Sequence, residues 1–363
     1  MKVLVFFFLI SFQLQATIVF KGTSEGQKFE VEQLARGLDI PWGIDFLNND
    51  ELIFTQKDGG LKVLSLKSKK VREIKGAPEV TYKGQGGFLD VRKDPSSEWV
   101  YFTYSKRVEQ SIVTILARAK VLKDKLADWK IILQTKVDSA RGVHFGSRIT
   151  FQDDYVYFGM GDRGVRENGQ DLSNHSGAIM RLHKDGRVPS DNPFVKNKKA
   201  MPEIWTYGHR NPQGLVYDKK RKILWEMEHG PRGGDEINIL TKGANYGWPK
   251  QGFGKEYWGP VRVGKDKVKG TIGPVKFYVP SIAPCGLEVY SGKVFKKWEG
   301  DLFSGALKMK HLNRVVIKNK KAIKEERLLG KLGRRVRSVR EGPDGLLYFS
   351  TDNGKIYRIK PGA

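Results

Sequence analysis

A histidine and an aspartate stand in two short glycine-rich strings, Arg141-Gly142-Val143-His144-Phe145-Gly146 and Gly159-Met160-Gly161-Asp162-Arg163-Gly164. An imidazole titrates close to neutral pH and is the side chain most often used to take up a proton in catalysis. A carboxylate beside it can orient the ring and favour the imidazolium that forms. Three more strings carry other polar groups: Lys83-Gly84-Gln85-Gly86-Gly87, Gly208-His209-Arg210-Asn211-Pro212-Gln213-Gly214, and Glu228-His229-Gly230-Pro231-Arg232-Gly233-Gly234-Asp235-Glu236. Each string alone reads as a turn, because glycine serves wherever the chain must reverse. His144 alone reads as a turn histidine satisfied by backbone, and Asp162 and Gln85 as turn residues. Recurrence is the stronger signal. An amide, an imidazole, carboxylates and guanidiniums all sit at strand boundaries, and a fold that gathers those boundaries gathers the chemistry.

The strands between the strings repeat. One unit reads 42–46, 51–55 and 60–64; the next reads 87–91, 99–103 and 111–116. Others begin at Ser147, Gly214 and Gly286, and the last runs 336–339, 346–350 and 355–359. β-branched and aromatic residues fill these runs, and turn residues bound them. Six such units with loop insertions predict a single six-bladed β-propeller of four-stranded antiparallel blades over residues 17–363. No long amphipathic helical pattern intervenes, which argues against a parallel α/β sheet; a pair of β-sandwiches is the runner-up. The last unit shows three strands, so Phe29–Leu34 is expected to supply its fourth and close the ring. In a propeller the first strand of each blade lines the central channel, so the strings converge on one pit. The polar stretches 164–176, 191–202 and 250–273 are long enough to build on that rim.

Composition narrows the partners. The chain has 363 residues, 41 of them glycine, and a formal net charge of +25. Lys and Arg are spread throughout without an aromatic-basic platform, so nucleic acid is not expected; a basic solvated surface is, with weak association to an anionic envelope as a lesser reading. Binding to anionic liposomes that failed to fall with salt would reject that reading. Lys2 followed by an apolar run from Val3 to Phe12, with Ala16 as a cleavage point, predicts an export signal over residues 1–16 and a periplasmic or secreted protein. A lone cysteine, Cys285, excludes an intramolecular disulfide and reads as a small buried residue rather than a nucleophile.

From about Leu34 to the C-terminus the chain resembles the soluble pyrroloquinoline quinone (PQQ)-dependent sugar dehydrogenases, the glucose/sorbosone dehydrogenase family, in its aldose sugar dehydrogenase branch. The strings Gly-Gln-Gly-Gly, His-x-Gly-x-Arg, Gly-Asp-x-Gly, Gly-His-Arg-Asn-Pro-Gln-Gly and Glu-His-Gly-Pro-x-Gly-Gly-Asp-Glu occur in the family's order. The resemblance implies oxidation of an aldose at its anomeric carbon to a lactone, with hydride passing to PQQ. It implies His144 as general base, Asp162 beside it and Gln85 on the sugar hydroxyls. Arg210, Asn211, Gln213, Ser281, Lys308, Arg335 and Arg337 match cofactor-holding positions. A Ca²⁺ that polarises the quinone would be held by the carbonyls of Gly230 and Pro231, with Asp235 supporting the loop.

Arg335 and Arg337 alternate along a strand and face one side. Such a pair is expected to need an anion between its members. Two departures stand out. Ser147 replaces a glycine found in many relatives, and Val279 stands where glucose-specialised members carry a large aromatic, which predicts a more open sugar pocket. Two other classes stay open: a Ca²⁺-dependent sugar lactonase, which would want side-chain carboxylates around the channel, and a non-catalytic glycan- or protein-binding propeller. The sugar, the electron acceptor and the choice between monomer and dimer are not legible.

Overall fold

The computed structural model describes residues 17–363, so the expected export signal over residues 1–16 lies outside the described residues. Each of the six units folds as an antiparallel sheet. The innermost strands are Pro41–Phe46, Phe88–Lys93, Ile149–Gln152, Pro212–Asp218, Pro284–Val289 and Val336–Glu341. Each packs against the next around a closed ring, giving the six-bladed propeller. Among the described residues the only helical pieces are three short 3₁₀ segments.

These inner strands are buried on both faces; Pro41–Phe46 has no residue open to solvent. They therefore read as short apolar runs rather than clean alternations. Close packing dictates Gly43. A Cβ there would fall 2.7 Å from the Val91 backbone nitrogen on the neighbouring blade.

The ring closes as expected, with one addition. The last blade contains Val336–Glu341, Leu347–Thr351 and Lys355–Pro361, and Gln27–Ala35 joins it as the fourth strand. Val31 pairs with Ile359, and Phe29 with Pro361. Thr17–Ser24 then adds a fifth strand outside it, which the sequence patterning did not suggest. Trp298 locks this closure. It is fully buried among Phe29, Tyr290, Phe295 and Phe303, and its indole N–H donates to Ser24 Oγ at 3.0 Å. Trp298→Phe removes that bond and part of the ring volume. The expected cost is about 1–2 kcal/mol of unfolding free energy, read from the denaturant midpoint at unchanged slope.

A single guanidinium plugs the channel. Arg148, from the third blade, is fully buried and reaches every other blade. It pairs with Asp90 of the second (3.1 Å) and donates to the Gln213 carbonyl of the fourth (3.1 Å), Cys285 Sγ of the fifth (3.2 Å) and the Arg337 carbonyl of the sixth (2.8 Å). It also stacks over Trp42 of the first, 3.9 Å from the ring centre. The planar fork of five donors suits arginine alone to this position. Cys285 is buried here, as its reading as a packing residue required.

Candidate active site

The pit lies above Arg148 and is a cavity of about 450 Å³. Two sets of residues wall it. One precedes or opens the inner strands: Trp42, Gln85, Phe145, Asn211, Gln213, Arg335 and Arg337. The other follows the second strand of a blade: Lys57, His229, Leu307 and Asp352.

His144 stands at the edge of the pit with left-handed backbone, φ +53. Its amide donates to Gln85 Oε1 at 2.7 Å, which fixes the turn and engages the Gln85 carbonyl. Its Nδ1 lies 2.6 Å from Asp162 Oδ1. Asp162 is buried and held in turn by the Gly164 amide (2.7 Å) and the Trp248 indole N–H (2.7 Å). A fixed carboxylate on Nδ1 selects the tautomer with its proton there, leaving Nε2 as the basic nitrogen. No described residue hydrogen-bonds that Nε2. Burial pushes the His144 imidazole below its ordinary pKa; the Asp162 bond opposes this, and the charges of Arg210 and Arg163 add to the lowering. The lowering favours the neutral ring, the form able to accept a proton.

Arg335 and Arg337 converge, but the anion between them belongs to the protein. Asp352 accepts from Arg335 Nε at 2.7 Å and from Arg337 Nε at 2.7 Å. The anion that such a pair was expected to need is a turn carboxylate from the same blade. The lining nevertheless keeps three cations, Lys57, Arg335 and Arg337, against the single carboxylate of Asp352. Burial and then the Arg337 charge hold the Lys57 ammonium below its usual pKa. The floor of the pit thus favours an anion.

Arg210 is buried beside the His144–Asp162 pair. Its carbonyl accepts the Asp162 amide at 2.8 Å, and its guanidinium donates to the carbonyls of His229 (3.0 Å) and Gly230 (3.3 Å). Asn211 and Gln213 brace Gly146 by side-chain bonds of 3.2 Å each. Lys308 is exposed just beyond Leu307 and does not line the cavity. The Ser281 hydroxyl is taken up by Asp235, at 2.8 and 3.0 Å. Asp235 also accepts the amides of Gly230, Ile282 and Ala283. It organises the Gly230–Pro231 loop, and its oxygens are filled by donors. Gly230 and Pro231 turn towards a small neighbouring cavity that Glu228 and Glu236 also line. Burial, then repulsion from Glu228, raises the carboxyls of Glu226 and Glu236 well above the usual range. His209, Glu226 and Glu228 bring their ligand atoms together in that interior.

Residues 38–358 match the model of the Glucose / Sorbosone dehydrogenase family. The chain belongs to the glucose/sorbosone dehydrogenase family. Among relatives of this dehydrogenase, Aldose sugar dehydrogenase YliI of Escherichia coli is 37% identical over 344 residues, covering 91% of this chain and 92% of that one. An uncharacterised Synechocystis protein, slr1608, is also 37% identical, over 349 residues. The crystal structure of the E. coli soluble aldose sugar dehydrogenase in its apo-form superposes with a TM-score of 0.89 at 35% identity, covering 92% of this chain and all of that one. The dehydrogenase is an oxidoreductase on the propeller scaffold read from its sequence.

Two departures from the family pattern acquire a physical setting in this dehydrogenase. Ser147 has φ +90, backbone that glycine adopts more readily, and its hydroxyl donates to the Phe145 carbonyl at 3.1 Å. Val279 is 59% exposed, beside Gly233. Lys57, Asp352 and Trp248 escaped notice in the sequence, and His229 entered only as a member of a string. Lys57, His229 and Asp352 share one signal: each falls in the turn directly after the second strand of its blade.

Proposed function

We propose that the protein oxidises aldose sugars at the anomeric carbon with PQQ and Ca²⁺, using His144 as general base. The observation that carries this reading is an imidazole with Nδ1 fixed by Asp162 and Nε2 unengaged, beside a pit of net positive charge. The donor set suits a flat, polycarboxylate cofactor: Arg337, Arg335 and Lys57 offer charge-assisted donors, and Asn211 and Gln213 brace the wall between them. Carbonyls of Gly230 and Pro231 offer hard oxygen ligands for Ca²⁺, and carboxylates lie nearby at Glu228 and Glu236.

When bound, PQQ would supply the hydride acceptor and Ca²⁺ would draw electron density from it. The chain supplies the rest. His144 Nε2 takes the proton of the anomeric hydroxyl. Asp162 holds the ring and stabilises the imidazolium. Gln85, whose carbonyl is committed to the His144 amide, has its amide nitrogen left to donate to a sugar hydroxyl. The expected localisation, periplasmic or secreted, accords with this reading.

Purified protein mixed with PQQ and Ca²⁺, a sugar and an artificial electron acceptor is expected to reduce the dye. Silence across pentoses, hexoses and disaccharides would overturn the proposal.

A further inference from the structure

An indole N–H needs a partner once its ring is buried, and a neutral oxygen suffices. Trp298 uses the Ser24 hydroxyl. Trp248, only 5% exposed, donates instead to a carboxylate, Asp162 Oδ2, at 2.7 Å. Among the described residues no other group donates to that oxygen. The other oxygen, Oδ1, meets His144 Nδ1 at 2.6 Å and the Gly164 amide at 2.7 Å. The indole and the imidazole thus stand on opposite oxygens of one buried carboxylate.

The indole is itself held from several sides. The Trp248 amide donates to the Gly208 carbonyl at 2.9 Å, and the Trp248 carbonyl accepts from Gln170 Nε2 at 2.7 Å. Gly169 lies so close that a Cβ there would fall 2.9 Å from Trp248 Cδ1. The guanidiniums of Arg210 and Arg166 stand 5.4 and 5.8 Å from the ring centre. A carboxylate with a donor on each oxygen cannot turn without breaking a charge-assisted bond, the strong kind. A bond from a fixed donor also stabilises the carboxylate's charge, and leaves less of it to attract an imidazolium.

We propose that Trp248 is a positioning residue for the base: its N–H fixes the plane of the Asp162 carboxylate and takes a share of its charge, so that His144 keeps a proton on Nδ1 and offers Nε2. This rests on the sugar-oxidising reading and adds a residue to its machinery. Of the ionisable groups that act most on the His144 ring, Asp162 is the one anion, beside Arg210 and Arg163. His229 of the fourth blade interacts with the ring too, but burial pushes its own imidazole down to about 3. What tempers Asp162 therefore tempers the base.

The test is Trp248→Phe, which keeps an aromatic ring and deletes the donor. In the holoenzyme reconstituted with PQQ and Ca²⁺, kcat on glucose is expected to fall roughly tenfold, with KM within about twofold. A carboxylate with one donor fewer holds an imidazolium more tightly, so the acid limb of kcat/KM should move to higher pH. That is opposite to its movement in Asp162→Asn. With both substitutions the limb should coincide with that of Asp162→Asn alone, because the indole acts only through the carboxylate. A limb that stays in place or moves down in Trp248→Phe overturns the inference, even when the rate falls, as it would for a ring that merely packs. A readout independent of turnover is magnetic resonance of apo-protein labelled with ¹⁵N in histidine and tryptophan. The His144 midpoint should rise in Trp248→Phe, and in the wild type one of the eight indole protons should titrate with it. An unmoved midpoint overturns the inference; if the variant does not fold, eight static indole protons in the wild type do so. If the wild type oxidises no sugar, the activity reading fails, and the apo-protein titration still decides whether Trp248 governs His144.

Discussion

Replacing His144 by asparagine is expected to lower turnover with any sugar by about a hundred- to ten-thousandfold, the range for loss of a positioned general base. Asparagine is the informative choice. His144 sits at φ +53, a region that asparagine tolerates and alanine does not favour. The backbone and its bond to Gln85 then survive, and the loss reports on the imidazole. PQQ affinity, followed by the absorbance of the bound cofactor, should be retained. Turnover within threefold of wild type would remove His144 from the base role. The pH profile supplies a second check. Burial, opposed by Asp162, leaves the imidazole pKa below its ordinary 6.5. A base must be unprotonated, so kcat/KM should rise with pH along a limb centred below 6.5 and be flat above it. Asp162→Asn withdraws the influence that raises the pKa, so the limb should move further down while the plateau falls.

The second large effect concerns stability. Arg148→Met should destabilise the fold by about 3–5 kcal/mol, because it takes the closer guanidinium from the buried carboxylate of Asp90, which keeps only Arg92 at 3.6 Å and the Ile149 amide, and strands the carbonyls of Gln213 and Arg337. The cost arises from the partner left charged, not from lost attraction alone. Adding Asp90→Asn to Arg148→Met should therefore recover part of the loss. If the double variant is less stable than Arg148→Met, the bridge is not what makes the position costly. Guanidinium unfolding midpoints decide between the two. Any loss of PQQ affinity in these variants would reach the pit through Arg337, whose carbonyl Arg148 holds.

How far the sequence reveals such residues depends on whether their role is local. The inner strands were legible because β-branched and aromatic runs end at turn residues, and the closing strand because the last unit lacked a partner. Thr17–Ser24 was not, since it pairs outward on a blade already complete. In the site, the glycine-rich strings betrayed His144, Asp162 and Gln85 through constraints that act within a few residues. Asp352 and Lys57 look like hairpin-turn residues, in Thr351-Asp352-Asn353-Gly354 and Gln56-Lys57-Asp58-Gly59. Their importance exists only once the ring brings four such turns together around the pit. Arg148 is the extreme case: a single residue in one blade whose partners lie in the other five. Lys308 and Ser281, positions picked by likeness, stand respectively at the surface and hydrogen-bonded to Asp235.

The pairing of Val31 with Ile359 carries a temporal consequence. The strand that completes the last blade is made first and its partner last, so nearly the whole chain must be synthesised before either finds the other. Until then the first residues have an unpaired edge, and the pit lacks Arg337 and Asp352. Contacts of such sequence separation slow folding, and they make its final step all-or-none. A chain truncated even within its last strand should therefore yield no partially active propeller, only an open array of blades vulnerable to proteases and to pairing with its own kind.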